Sequence, residues 1–571
     1  MLRRGRKDVP APAAESPIAT SERQAVVPGG GSASVSKRIP GWEVIALALV
    51  IGVALFLRFG RWDLLEFKAD QAIAMQLALG FVREGHFPLV GLMSGVGVAN
   101  PPLFIYLLIP LVAVSPHLSF ITSFIAATGT AAVVVCWHVG RRYYSPAVGL
   151  ISAALFAVSF WAVIYSRNIW AQDFVPIFAT LTMWALHAVI LGGNRRAIFW
   201  VVFLPLCVIQ IHFSGLALTA AVGCILLLLR PKFDWRFAVG GAAAALVLMA
   251  PYLDYQATNG WVAFSQAATA LGGDPRFNPD DLFNDPYSGY PLPNHHDLTH
   301  ALGVVNGGEI GDTLGLSEPD FEESLSFENW ALGLQQFICG SGVIYLMAVG
   351  IRGFLRPKKF PASAGGEEET KTAWILTCWV IVPILAYCAV DLATVLSYFV
   401  ISYPAPCLIC AVAWRKLWMK AGAAVPARVL LCGALGFILA GNLFFTLKFY
   451  GFVARHGGTH GGYGTVVSYK QEAATYLAEN ADVGQLLSER RLVQMDQYGR
   501  IGPPQPDIPV LASLVPSIPA DSTIAPNTIV VIVDRNRASF TPEQWARLAS
   551  LSKQEFGPIQ LYFVPRPDVE K

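Results

Sequence analysis

The sequence predicts a polytopic α-helical membrane protein of about eleven transmembrane helices, with interfacial helices in its first outer loop and a small C-terminal extracytoplasmic α/β domain. Three observations predict it. The 571 residues are 54% hydrophobic and only 14% charged, with a mean hydropathy of +0.49, too apolar for a soluble chain of this size. Apolar runs fall near 42–59, 118–139, 147–165, 174–191, 198–213, 215–229, 237–253, 331–351, 373–391, 394–413 and 429–447, most of them close to the roughly 20 residues that a crossing needs. After position 448 the pattern changes to short strand-like and helix-like stretches separated by Pro and Gly. A formal net charge of +2 with no basic face gives no nucleic-acid signature.

Residues 1–39 are rich in Pro, Ala, Ser and Gly and contain Arg3, Arg4, Arg6, Lys7, Lys37 and Arg38. Such a segment cannot bury enough apolar surface to fold, and its charge predicts a disordered cytoplasmic tail. The membrane domain is expected over 40–447. With the short run at 101–114 read as an interfacial or re-entrant helix, the basic clusters Arg141-Arg142, Arg195-Arg196, Arg230/Lys232/Arg236, Arg352/Arg356 and Arg415/Lys416 all fall on the side of the tail. Basic ends on both sides of 197–229 require two short spans, meeting near Gln210, His212, Ser214 and Gly215. The outer loops are then 60–117, 166–173 and 254–330. Residues 448–571 also lie outside, with a glycine-rich joint at 457–462, a helix over 469–481, strands over 528–534 and 559–565, and a capping box at Thr541-Pro542-Glu543-Gln544.

The chemistry-bearing side chains cluster on the outer side. Asp70 and Gln71 open a stretch whose Ala72, Met75, Ala78, Leu79 and Val82 form one apolar face, which predicts a helix lying on the membrane with a carboxylate at headgroup depth. Arg58 precedes this loop, and Asn100-Pro101-Pro102 closes it. In the loop 165–173, Arg167 can pair with phosphate oxygens and Asp173 can orient it or bind a metal; the alternative is a snorkelling Arg and an acid at a helix N-terminus. His212 sits at the hairpin tip, where it either bonds locally or stabilises charge. His295, His296 and His300 have a metal-ligand spacing, but they lie in a long polar loop, where a solvated patch is the favoured reading over a metal site. All nine cysteines lie in or at the ends of apolar runs, so no disulfide framework is expected, and Cys407 and Cys410 read as packing residues.

The order of an apolar first span, an outer loop with Asp70, an Asn-Pro-Pro turn before a short apolar run, and an Arg167-x5-Asp173 loop resembles GT-C type membrane glycosyltransferases of the protein O-mannosyltransferase and aminoarabinose transferase superfamily (glycosyltransferase family 39-like). The span containing Tyr398, Tyr403, Pro404 and Pro406 is similar to that family's Tyr-and-Pro helix. Gln71, Asn100 and Ser397 stand where the family often has Glu, Lys and Arg. The resemblance implies a polyprenyl-phosphate sugar as donor, used at the outer face of a bacterial inner membrane, and an acceptor hydroxyl on a protein, glycolipid or polysaccharide. It implies Asp70 as general base, Asp173 as the second acid and Arg167 as a phosphate ligand; Arg58, Gln71, Asn100, His212 and Tyr403 join them as substrate-binding candidates. A divalent metal ion is the one cofactor candidate. In-line attack predicts inversion at the anomeric carbon. A transporter or lipid-linked sugar flippase is the rival, disfavoured because the ionisable residues sit in loops rather than at span centres.

Overall fold

The computed structural model describes residues 39–67, 69–94, 98–263, 326–355, 364–390, 396–459, 465–480, 492–495, 501–502, 528–532 and 549–564, with a few single positions between them. The histidines at 295, 296 and 300 and the capping box at 541–544 lie outside the described residues.

All eleven apolar runs are helical, but they divide by length. Among the described residues, seven helices are long and apolar enough to cross a membrane: α1 (Gly41–Phe59), α4 (Leu118–Tyr143), α7 (Ala171–Ile190), α10 (Trp235–Thr258), α11 (Ser326–Leu355), α12 (Ala364–Val390) and α14 (Val425–His456). Between them lie α2 (Ala69–Glu84), α3 (Leu103–Val114), α5 (Pro146–Val158), α6 (Phe160–Ile164), α8 (Ile198–Ile211), α9 (Gly215–Leu229) and α13 (Ala405–Ala421). The run at 147–165 breaks at Ser159 into α5 and α6, and the run at 394–413 is a 3-10 turn, Leu396–Ser402, bent by 53° against α13. The expected hairpin at 197–229 is present as α8 and α9. Gly215 makes its tip possible: a Cβ there would lie 2.3 Å from the Ile209 nitrogen, so no larger residue fits the turn.

Small residues and a buried ion pair tie the first helices together. Ser145 caps α5 by accepting from the Val148 N–H, with Pro146 at the first helical position. Gly140 of α4 and Gly149 of α5 touch, since a Cβ on Gly140 would stand 2.7 Å from the Gly149 Cα, the close approach that small residues permit between membrane helices. Glu43 at the start of α1, fully buried, accepts from Arg141 Nε at the end of α4 at 2.8 Å.

One expectation for the first loop changes. Ala72, Met75, Ala78 and Leu79 of α2 are buried in the protein core, and of the predicted apolar face only Val82 is exposed. The helix packs its apolar face on protein, not on lipid.

The C-terminal part contains a helix, α15 (Val467–Asn480), and a five-stranded sheet in the order β2-β1-β3-β5-β4. Its strands are β1 (Leu492–Met495), β2 (Ile501–Gly502), β3 (Thr528–Ile532), β4 (Lys553–Phe556) and β5 (Ile559–Val564). The two strands read from sequence are β3 and β5, paired antiparallel with Val530 opposite Tyr562. Only β1 and β3 run parallel.

Candidate active site

The site begins where α1 ends. Arg61 adopts a left-handed conformation (φ 54°), a single 3-10 turn follows at Trp62–Leu64, and the chain then runs extended through Phe67 to α2. Arg61 pairs with Asp63 at 2.8 Å, and this hydrogen bond holds the Asp63 carboxyl below the usual carboxylate range, leaving it a poor base. Along the extended segment, Leu65 and Phe67 are buried and Glu66, between them, points the other way. There the Asn168 amide donates to Glu66 Oε2 at 3.2 Å.

Asp173 stands in the first turn of α7, buried to 1% exposure, and neither carboxylate oxygen has a hydrogen-bond partner. Backbone groups of Asn168 and Trp170 approach it without a hydrogen bond of good geometry, and Glu66 is the charged side chain that acts on it. The amide oxygens of Asn168 and Gln172 are also buried and unpartnered. Four buried acceptor oxygens without hydrogen-bond partners thus fall within six residues of sequence, beside a second carboxylate. Buried polar groups are mostly paired, so these oxygens are able to accept hydrogen bonds or positive charge from a bound group.

The rim is aromatic. Tyr165, next to both Glu66 and Asp173, stacks on Trp161 (ring centres 5.7 Å apart) and has Ser397 beside it. The next residue, Tyr398, faces the His212 ring at 5.1 Å, so the 3-10 turn at 396–402 joins the hairpin tip to the acidic cluster. His212 Nδ1 accepts the Ser214 backbone N–H at 3.1 Å, which leaves the ring proton on Nε2 as a donor.

Other expected site residues are placed differently. Arg167 is buried to 1% exposure. Its Nη1 shares two N–H groups among the Leu57 and Gly60 carbonyls at 2.6 Å and the Tyr450 hydroxyl at 2.7 Å, and Nη2 donates to the Arg61 carbonyl at 2.8 Å. A guanidinium directed at the carbonyls of a helix C-terminus is a cap for α1. Arg58 also serves the backbone: breaking the helix at Ser159 leaves carbonyls without partners, and Arg58 donates to those of Phe156, Ala157 and Ala162.

Tyr403 is buried, bonds Ser159 Oγ at 2.6 Å and stacks on Phe156 at 5.0 Å, so it braces the same break. Asn100 closes a hairpin through its backbone and side-chain amides, both donating to the Leu92 carbonyl, while its Oδ1 stays unpartnered. Gln71 is buried, whereas Asp70 is exposed in the first turn of α2. Asp70 and Asp173 therefore lie at different depths, and the carboxylate beside Asp173 is Glu66.

Glu66, Asn168 and Gln172 were not singled out from sequence. The available signal was weak: an acid four positions before Asp70, and two amides flanking a loop already suspected. Among the described residues no three His, Cys, Asp or Glu side chains gather as a metal site. The acidic cluster offers two carboxylates and two amides instead, a hard oxygen set suited to magnesium, manganese or calcium and unsuited to a soft metal.

No family model matches the sequence, and no curated protein does. Solved structures do. The apo form of ArnT from Cupriavidus metallidurans aligns with a TM-score of 0.52 at 12% identity, over 91% of this chain and 97% of ArnT. The chain has the GT-C fold of ArnT. The form of that protein bound to undecaprenyl phosphate aligns equally, with a TM-score of 0.52 at 11% identity over 91% of this chain and 98% of ArnT. The oligosaccharyltransferase AglB from Archaeoglobus fulgidus, in complex with an inhibitory peptide and a dolichol phosphate, aligns with a TM-score of 0.43 at 11% identity over 79% of this chain and 59% of AglB. The ArnT alignment spans nearly the whole of both chains, so the likeness includes the C-terminal part as well as the membrane helices.

Proposed function

We propose that this chain is an integral membrane glycosyltransferase that moves a sugar from a polyprenyl-phosphate donor to an acceptor hydroxyl, with inversion, at the face opposite its basic helix ends. The observation that supports it most is the acceptor-rich cluster of Asp173, Glu66, Asn168 and Gln172 on a fold shared with a protein that binds undecaprenyl phosphate. The basic clusters support a cytoplasmic N-terminal tail over 1–39, a membrane domain over 40–447, and residues 448–571 outside the cytoplasm.

The roles follow from depth. Asp70, exposed at the start of α2, is reachable by an acceptor arriving from water and acts as the general base. The acceptor oxygen attacks the anomeric carbon, the bond from that carbon to the phosphate oxygen breaks, the electron pair leaves with polyprenyl phosphate, and the hydroxyl proton passes to Asp70. The buried cluster holds either sugar hydroxyls, which would donate to its four free oxygens, or a divalent cation. Such a cation would supply positive charge to the departing phosphate. His212 Nε2 is the neutral donor best placed, through its contact with Tyr398, to bond a phosphate or sugar oxygen.

The test is purified full-length protein in lipid nanodiscs, given radiolabelled undecaprenyl-phosphate monosaccharides and a membrane extract of the source cell as acceptor. Label incorporated and undecaprenyl phosphate released are both measured. Asp70→Asn is expected to lower kcat by roughly 10²- to 10⁴-fold. Full transfer by that variant refutes the base assignment, and translocation of the donor without phosphate release makes the chain a flippase.

A further inference from the structure

The strand that presents Glu66 is completed by residues from the far end of the chain. Tyr463 donates its hydroxyl to the Leu64 carbonyl at 2.5 Å and Lys470 donates to the Phe67 carbonyl at 2.5 Å, from 399 and 403 positions later in the sequence. Between them the Val467 N–H donates to the Leu65 carbonyl at 2.9 Å, and Glu66 forms an antiparallel bridge with Val466. Four successive residues, Leu64 to Phe67, are thus engaged by the segment 463–470.

These are bonds to the main chain, and that is what gives them a consequence beyond docking. In an extended segment side chains alternate, so fixing the backbone register fixes which residue faces which way. Here the register puts Leu65 and Phe67 into the core and turns Glu66 toward Asn168 and Asp173. A slip of one residue would bury the carboxylate and expose a Leu or a Phe. Both clamp side chains are themselves buried, and the Tyr463 ring packs edge-on against Phe449 at 5.2 Å.

The clamp is also continuous with the C-terminal sheet. Lys470 belongs to α15, whose Tyr469 lies against Gly557 in the β4–β5 turn and whose Tyr476 packs on Phe556 at 5.4 Å. Force on the sheet therefore reaches the extended segment through one helix.

We infer that Tyr463 and Lys470 are positioning residues for Glu66, and that the C-terminal domain sets the geometry of the acidic cluster through them. The inference rests on the proposed role of the Glu66 and Asp173 carboxylates. Misplacing a reacting or binding group by about an ångström costs up to ~100-fold in rate, so loosening the clamp lowers turnover while the donor still binds.

Tyr463→Phe, Lys470→Met and Lys470→Arg are compared in the nanodisc assay by release of undecaprenyl phosphate, together with hydrogen exchange at residues 64–67 of the full-length protein. Tyr463→Phe and Lys470→Met are expected to lower kcat about fivefold or more at nearly constant KM for the donor, to speed exchange at 64–67, and to be answered by recovery in Lys470→Arg. Faster exchange at 64–67 with wild-type kcat overturns the inference, as does unchanged exchange in both variants. Glu66→Gln separates the two ideas: wild-type kcat in that variant removes the role of the carboxylate pair, whatever the exchange data say of the clamp.

Discussion

Replacing Arg167 by Met keeps the aliphatic stem and removes the guanidinium, and the structure sets what is lost. The guanidinium's contacts with four acceptors disappear, the carbonyls of Leu57, Gly60 and Arg61 and the Tyr450 hydroxyl, three of them served by the two N–H groups of Nη1. The Leu57 carbonyl retains a second donor, because Tyr450 also bonds it at 2.7 Å. The bonds to Gly60 and Arg61 are only part-buried, so water can replace the guanidinium there and each loss is nearer 1 kcal/mol than the 1.5–3 of a fully buried charged bond. The guanidinium also lies over the Tyr450 ring at 4.6 Å, a contact worth about 1–2 kcal/mol when desolvated. Relief from burying a charge offsets part of this. The net is about 3 kcal/mol of stability, or roughly a hundredfold in the folding equilibrium. Thermal unfolding of Arg167→Met and Arg167→Lys in nanodiscs measures it. Both midpoints should fall, with Lys recovering only part because one ammonium cannot match the planar fork. An unchanged midpoint together with a tenfold or greater loss of undecaprenyl-phosphate affinity would refute the helix-cap assignment and restore the phosphate ligand.

Three further outcomes are expected. Gly129→Ala would place a Cβ 2.4 Å from the Ser166 Cβ, displacing the loop that holds Arg167, and should lower the thermal midpoint by an overpacking cost of about 1–3 kcal/mol. Tyr403→Phe loses the bond to Ser159 and keeps the stack on Phe156; stability measured by melting should fall by about 1 kcal/mol, with KM for the donor moving less than about twofold. If the acidic cluster holds a divalent cation, EDTA should abolish turnover and manganese or magnesium restore it, with Asp173→Asn raising the metal concentration needed by about tenfold or more; turnover indifferent to EDTA assigns the orphaned oxygens to sugar hydroxyls.

The helical architecture was readable because apolar runs register solvent preference directly. Their subdivision was not. Nothing in the run around Ser159 resembles a breaker, and the break persists because Arg58, about a hundred positions away, satisfies the carbonyls it frees. The same physics explains the arginines. A sequence shows a cation near a loop, and phosphate is the natural guess; only three dimensions reveal that a nearer need, the bare end of α1, is met first. The sequence shows Asp173 as an acid at a helix start and offers Asp70 as its partner, one turn of chain beyond Glu66. The choice between them depends on which side of an extended segment faces inward, and that is fixed by Val466 and its neighbours, outside any local pattern.

The bonds from Tyr450, Tyr463 and Lys470 to the backbone at Leu57, Leu64 and Phe67 join positions 393, 399 and 403 apart. During synthesis the first loop leaves the ribosome with its finishing strand still untranslated, and nearly the whole bundle must be threaded before that strand arrives. A nascent or prematurely terminated chain can hold Glu66, Asp70 and Asp173 and still lack the segment that bonds Leu64 to Phe67, so on the proposed function the acidic cluster gains its frame late in translation, after the membrane helices are in place.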